Sequence, residues 1–276
     1  MSKPDLDKGT TRPATIREAT IVVPCHNESL GLENLAARLE VLFDRCKDCY
    51  RFDAVIVDDG STDDTWAIMQ SLFGDHPAFR LLRLEAIRGI WAATAQGAAL
   101  PGPDIVCTMD SDCSYDPILF AEMIPLLEGN VAMVTASPHH PEGEVRDVPW
   151  LRLLLSRGLS KLYRLVLRQK LSTYTSCFRV YQRSAIRAVE VREPGFVGIA
   201  EIAARLDQAG HRIVEFPAPL ARRRYGVSKL RTVATIFGHL RLLMSLSLDR
   251  RPAMLGAFRW LDRVRAKDHG ASSHAE

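Results

Sequence analysis

Two short apolar runs in this chain each end in a cluster of carboxylates. Ala54-Val55-Ile56-Val57 leads into Asp58-Asp59-Gly60-Ser61, and Ile105-Val106-Cys107-Thr108-Met109 leads into Asp110-Ser111-Asp112. Unbroken apolar runs of this length read as strands buried on both faces, the habit of parallel sheets. An open α/β sheet binds its ligands at the carboxyl ends of its strands, so both clusters point to one crevice. Carboxylates gathered there without a cysteine–histidine cage suit a hard divalent cation shared with a phosphorylated substrate.

The rest of the chain repeats the alternation. Strands are expected over 19–24, 52–57, 79–84, 104–109 and 131–135, with helices over 30–45, after Ser61-Thr62-Asp63, over 89–100 and over 117–127. Small residues in the third helix let it lie close on a sheet. Alternating strands and helices give a mostly parallel, doubly wound α/β sheet flanked by helices. After residue 136 the pattern changes to a proline- and histidine-containing loop over 137–149, then a basic amphipathic helix over 150–169. Strands follow at 177–181 and 211–217, a helix at 196–208, and amphipathic helices at 229–248 and 254–267, broken at Pro252.

Charge is unevenly spread. Residues 1–220 carry 24 basic and 29 acidic side chains, whereas residues 221–267 carry 12 and 2. A basic segment on an acidic body suits phosphate or an anionic membrane surface. No uncharged run spans a bilayer and no secretory leader is visible, so the expected place is the cytoplasm, with peripheral contact at the inner face of a membrane. Six cysteines without a leader read as free thiols. Cys46-Lys47-Asp48-Cys49 lacks the second pair that a zinc site requires, and it reads as two thiols at a helix end.

Five pieces stand in order: Val23-Pro24-Cys25-His26-Asn27-Glu28, Val57-Asp58-Asp59-Gly60-Ser61-Thr62-Asp63, Met109-Asp110-Ser111-Asp112, Thr175-Ser176-Cys177-Phe178-Arg179-Val180-Tyr181 and Arg223-Arg224-Tyr225-Gly226-Val227-Ser228-Lys229-Leu230. Together they resemble the family-2 inverting glycosyltransferases of GT-A fold, and within them the dolichol-phosphate mannose synthase-like group. The resemblance covers roughly 19–231. It implies transfer of a sugar from a nucleotide-diphospho-sugar, with polyprenyl phosphate as acceptor. It also implies Mg2+ or Mn2+ at Asp110 and Asp112. Nucleotide-sugar contacts are implied for Pro24, His26, Glu28, Val57, Asp58, Asp59, Asp110, Ser111, Asp112, Arg223 and Lys229. Asp112, Arg223 and Lys229 stand nearest the chemistry, and Arg152, Ser156 and Arg157 would hold the acceptor phosphate.

Residue chemistry fits several of these roles. A carboxylate accepts hydrogen bonds only, which suits Asp59 to a base N–H. Glu28 reads either as a ligand or as an acid at a helix start. Cations around Gly226 can close over a diphosphate. The chain departs from the group at Ala136-Ser137-Pro138, which lacks an arginine, and at Thr173 and Tyr174, which stand in place of an aspartate. Ser114 replaces a glutamine. His139, His140 and Arg146 could supply the lost cation, while Glu201 could orient Arg179 or meet substrate. If the acceptor is a hydroxyl, a base is required, and Asp112, Asp147 and Glu201 are the candidates.

Rival readings are a glycosyltransferase acting on a soluble saccharide or other hydroxyl, a nucleotidyltransferase, and a non-catalytic sugar-nucleotide-binding module. A nucleotidyltransferase needs a glycine-rich phosphate loop after the first strand, and residues 24–30 contain none. The expected division is a tail at 1–17, a GT-A domain at 18–231, a basic amphipathic helical segment at 232–267 and a tail at 268–276.

Overall fold

The computed structural model describes residues 16–145, 150–221 and 232–249. The first half alternates as expected. Strand β1 (Arg17–Cys25) is followed by α1 (Leu32–Cys46), β2 (Tyr50–Asp59), α2 (Thr65–Phe73), β3 (Phe79–Leu84), α3 (Ile90–Ala99) and β4 (Ile105–Thr108). Then come α4 (Phe120–Met123), β5 (Val131–Ser137), β6 (Glu144–Val145) and α5 (Trp150–Val166). The remainder is β7 (Arg179–Gln182), α6 (Arg183–Ala188), α7 (Phe196–Gln208), β8 (Arg212–Pro217), β9 (Pro219–Leu220) and α8 (Thr232–Asp249).

Seven strands form one sheet in the order β3-β2-β1-β4-β7-β5-β8. All neighbours are parallel except β7, which runs antiparallel to both β4 and β5. The chain winds outward from β1 through β2 to β3, then returns to place β4 on the other side of β1. That reversal opens a crevice beyond the carboxyl ends of β1 and β4. The sheet is covered on both faces. Ile21, Val23, Ala54 and Ile56 pack with Leu35, Leu39 and Met69 of α1 and α2, while Val22, Val55, Val57 and Val106 pack beneath α3 and α7. The small residues of α3 serve close approach: a Cβ on Gly97 would meet Val22 Cγ1 at 2.6 Å and Val57 Cγ2 at 3.0 Å.

Two local expectations change and a third holds. The helix expected over 117–127 is a 3-10 turn, the short α4 and a second 3-10 turn containing Pro125, because proline lacks the N–H that a continuous helix requires. The loop after β5 contributes β6, which pairs with β9 in a small parallel ribbon. The helix expected over 229–248 is α8, and its inner face does cap the protein: Leu242, Leu243 and Leu246 are buried where α8 packs on α7 and α5. Residues 1–15 of the expected N-terminal tail, the expected C-terminal tail, the basic turn at 223–230, residues 146–149 and the helix at 254–267 lie outside the described residues, as does the side chain of Arg152; Arg17, expected in the tail, begins β1.

Candidate active site

The crevice at the switch point opens into a cavity of about 960 Å3. One end is bounded by Pro24, His26, Glu28 and Asp59, the floor by Asp110, Ser111, Asp112 and Ser176, and the far wall by α5 and α8.

At the first end the loop after β1 is tied to the loop after β2. Asn27 takes a left-handed φ of 50°, and its Oδ1 accepts from Thr62 N at 2.7 Å while its own N–H donates to Ser61 Oγ at 2.9 Å. Glu28 N donates to Thr65 Oγ1 at 2.8 Å. The Glu28 side chain lines the cavity and does not cap the helical turn that follows it. His26 Nδ1 lies 2.8 Å from the Asp59 carbonyl oxygen. A carbonyl only accepts, so Nδ1 carries the proton, and Nε2 faces Asn27 Nδ2 at 3.4 Å as an acceptor.

Asp58 and Asp59 are both buried but serve different loops. Asp58 Oδ1 accepts from Ser61 N at 3.1 Å, and Oδ2 stands 3.4 Å from Arg83 Nε without a hydrogen bond. The Arg83 guanidinium lies over the Trp66 ring. Asp59 accepts from Arg88 N at 2.7 Å through Oδ1 and from Gly89 N at 2.8 Å through Oδ2. It therefore clamps the 86–89 loop, whose Ile87 forms part of the cavity wall. Gly60, at φ +63°, makes the approach possible, since a Cβ there would meet Ile87 N at 2.5 Å.

On the floor, Asp112 Oδ1 accepts from Ser114 N at 2.9 Å, and Cys113 takes φ 51° to complete the turn. The Cys113 thiol is pushed up to about 12 by burial and then by the neighbouring Asp112 charge, so it stays protonated and is no nucleophile. Thr108 Oγ1 donates to Cys177 O at 2.7 Å, which fixes the 175–177 loop beside β4. No group of three His, Cys, Asp or Glu side chains gathers for a metal among the described residues. The donor set is the carboxylate pair Asp110 and Asp112. That pair fits Mg2+ or Mn2+, which are held by one or two carboxylates and complete their shell with water and substrate phosphates.

The far wall is largely apolar. Leu153, Leu154, Leu159 and Leu162 of α5 and Ile236 and Leu240 of α8 line it, with Phe196 between. Ser156 also faces in, with Oγ 3.3 Å from His139 Nε2. Burial, and then the positive charge of Arg157, hold the His139 imidazole below its ordinary range.

A family model described as glycosyl transferase family 2 matches residues 20–189. The chain belongs to glycosyl transferase family 2. A polyprenol monophosphomannose synthase of Mycolicibacterium smegmatis is 26% identical over 228 residues, covering 79% of this chain and 84% of that protein. A dolichol-phosphate mannosyltransferase of Pyrococcus furiosus is 26% identical over 231 residues, covering 83% of this chain; the chain spans only 63% of that relative's length. In fold, the chain is similar to glucosyl-3-phosphoglycerate synthase from Mycobacterium tuberculosis in complex with Mn2+ and UDP, with a TM-score of 0.61 and 20% identity over 85% of this chain and 80% of that one. It is also similar to a mannosyltransferase from Pyrobaculum calidifontis in complex with GDP-Man and Mn2+, with a TM-score of 0.58 and 18% identity over 86% and 66%.

The expected site residues of this family-2 chain divide into three groups. Pro24, His26, Glu28, Asp59, Asp110, Ser111, Asp112 and Ser156 share the cavity, while Arg223 and Lys229 fall outside the described residues. Others are corrected. Val57 turns its side chain into the core against α3, and Asp58 lies beneath the site as a support. The main-chain donors on both Asp59 oxygens leave a base N–H only their remaining lone pairs. Arg157 is exposed beside the cavity rather than lining it. His140 Nδ1 accepts from Glu142 N instead of facing the site. Glu201 does not line the cavity: Oε2 accepts from Arg192 N and Glu193 N, and Oε1 from Arg205. Arg179 is likewise structural. Thr173 and Tyr174 leave no gap, because Glu215 of β8 accepts from Ser172 N and Thr173 N at 2.8 and 3.0 Å. Sequence reasoning quoted Ser176 within a motif without giving it a role, and it passed over Phe196, His239 and the leucines of α5. Of these last, only the leucines carry a local signal, their helical spacing.

Proposed function

We propose that the chain is an inverting glycosyltransferase that moves a sugar from a nucleotide-diphospho-sugar to a polyprenyl phosphate. The observation that carries this reading is the single cavity joining the Asp110–Asp112 turn to a leucine-lined wall. A donor diphosphate suits the first end, and an acceptor with a long apolar body suits the second. The named activities of the Mycolicibacterium and Pyrococcus relatives support the same acceptor class.

Asp110 and Asp112 would hold Mg2+ or Mn2+, which neutralises the leaving diphosphate. The loops at His26 and Asp59 bind the nucleoside, with the 86–89 loop fixed in place before the donor arrives. Ser156, with His139 behind it, receives the acceptor phosphate, and Arg152 and Arg157 would add their charge. Arg223 and Lys229 would close over the diphosphate and complete its neutralisation. A phosphate monoester is largely dianionic near neutral pH, so its oxygen attacks without a base. A hydroxyl acceptor would need one, and of the three candidates Glu201 is occupied, Asp147 is outside the described residues and Asp112 serves the metal. Incubating the chain with farnesyl phosphate and a panel of sugar nucleotides tests the reading. The expected products are nucleoside diphosphate and an anomer-inverted prenyl phosphosugar. Transfer to a free saccharide alone would favour the soluble-acceptor reading, and release of pyrophosphate would favour a nucleotidyltransferase.

The acceptor class places the site at a membrane. No helix among the described residues is long and apolar enough to cross one, but two helices present apolar side chains outward. On α5, Leu165 is 80% exposed, and on α8, Phe237, Met244 and Leu248 are 67%, 68% and 55% exposed. The α8 positions recur at seven and four residues, one face of a helix. We read this surface as a peripheral contact at the inner, cytoplasmic face of the membrane. Phe237→Glu combined with Met244→Glu should abolish co-sedimentation with anionic liposomes while leaving the melting temperature within a few degrees, because both side chains are exposed. Undiminished sedimentation of that variant would move the contact elsewhere, first of all to the expected basic helix at 254–267.

A further inference from the structure

Five buried side-chain polar atoms among the described residues have no hydrogen-bond partner, and two of them, His139 Nδ1 and His239 Nε2, belong to residues that line the cavity. His239 belongs to α8, is 1% exposed and lines the cavity. Its Nδ1 lies 2.8 Å from the Tyr163 hydroxyl of α5. A buried polar atom without a partner is costly, and two such atoms in residues lining one cavity point to a ligand rather than to packing.

The tautomer follows from Tyr163. Its hydroxyl is fully buried, and burial holds it well above the ordinary tyrosine range, so the O–H proton is present. Among the described residues the acceptor within its reach is His239 Nδ1. The O–H therefore donates to Nδ1, and the proton of the neutral imidazole sits on Nε2, the unpartnered atom. Burial lowers His239 to about 4, so the ring stays neutral at physiological pH. The cavity wall thus holds one fixed, uncharged N–H donor.

Its position relates it to the acceptor end. Ser156 and Tyr163 are two helical turns apart on one face of α5, about 10 Å along the axis. A helical side chain leans toward the N-terminus of its helix, so the Tyr163 hydroxyl, and His239 with it, is carried back toward Ser156. Around that donor the wall is Leu159, Leu162, Ile236 and Leu240. An occupant must be apolar along this wall and carry an oxygen where it meets the N–H. In a phosphate monoester of an apolar alcohol, the phosphate is the only part that does.

We infer that His239 is an acceptor-binding residue whose Nε2–H, fixed by Tyr163, donates to a phosphate oxygen of such a monoester. The inference rests on the proposed acceptor class and adds a residue and a hydrogen bond to it.

The test is histidine 15N NMR on the full chain, with the His239 signals assigned by their loss in His239→Gln. In the free protein, Nε2 should carry the proton. Farnesyl phosphate should shift the Nε2 resonance, farnesol should leave it in place, and inorganic phosphate should act weakly. In a transfer assay, His239→Phe should raise the KM for farnesyl phosphate by about tenfold or more, the loss expected for a hydrogen bond to a charged group. The KM for the sugar nucleotide should not change. His239→Gln, which retains an N–H donor, should recover part of the loss, and Tyr163→Phe should fall between. An Nε2 resonance unmoved by farnesyl phosphate, or moved equally by farnesol, overturns the inference. So does a rise of both KM values together, which marks a structural role. If His239→Phe does not fold, the wild-type titration still decides. A shifted resonance without any sugar transfer would retire the proposed function and leave the binding site standing; transfer with an unmoved resonance would do the reverse.

Discussion

Replacing Asp110 or Asp112 by alanine should cut sugar transfer by about 10²-fold or more, the usual scale for losing a main electrostatic stabiliser of the leaving group. Both side chains face the cavity from the turn beyond β4 rather than the core, so far-UV circular dichroism should be unchanged. The two substitutions should differ in their side effects. Asp112 Oδ1 accepts from Ser114 N, so Asp112→Ala also loosens the turn, by about 1 kcal/mol for one turn hydrogen bond. Asp112→Asn keeps an acceptor oxygen for Ser114 N and should restore the turn without restoring turnover. The wild-type chain should lose activity in excess EDTA and regain it with Mg2+ or Mn2+. Full activity in EDTA, or a wild-type rate from either alanine variant, would end the metal assignment. A loss of activity in Asp112→Ala that Asp112→Asn repairs would make Asp112 a turn-forming residue and leave Asp110 as the remaining ligand.

The strands that position these carboxylates were legible because each is a short apolar run with a polar stop, a signal carried by neighbouring residues. The switch point followed from the same runs. Strand direction has no such local signature. Arg179–Gln182 looks the same from either end, and its antiparallel entry between β4 and β5 is decided by the path of α5 and the 167–178 segment. The roles of the acids were legible in kind but not in partner. Asp59 was read for a ligand because acceptor-only groups at a strand end invite one, yet the nearest donors are main-chain N–H groups 29 and 30 residues later. Glu201 misled for the same reason: on sequence it is an acid on an apolar helix, and its donors at 192, 193 and 205 appear only when α7 folds back on the loop preceding it. His239 carries no local mark at all. Its meaning comes from Tyr163, 76 residues away on another helix. Helical periodicity placed α5 and α8, but it could not say that each helix turns one face to the protein and leaves another outward, as α8 does with Leu242, Leu243 and Leu246 inside and Phe237 outside.

Arg179→Met should lower the melting temperature by about 6–12 °C, the shift that about 3 kcal/mol produces in a domain of this size. Arg179 is fully buried, and no carboxylate pairs with it among the described residues. Its guanidinium is spent on neutral acceptors: Tyr174 O at 2.7 Å, Ile199 O at 2.6 Å, the Tyr181 hydroxyl at 3.1 Å and Thr135 Oγ1 at 3.3 Å. Methionine fills most of the volume, so little is lost from packing. The cost comes from two carbonyls left buried without donors, at about 1–3 kcal/mol each. Against it stands the relief of no longer burying a charge, which is why the expected loss stays near the low end. Lysine keeps the charge but cannot present the planar fork of donors, so Arg179→Lys should recover little. The same network joins the segment before Thr175–Cys177 to the first turn of α7 beside Phe196, two parts of the cavity wall. Loosening it should therefore raise the KM for the acceptor before that for the sugar nucleotide, whose loops hang from β1 and β2. A melting temperature within 2 °C of wild type would mean that desolvation of the guanidinium cancels its four hydrogen bonds, and the arginine would then be held for the shape of the wall rather than for stability.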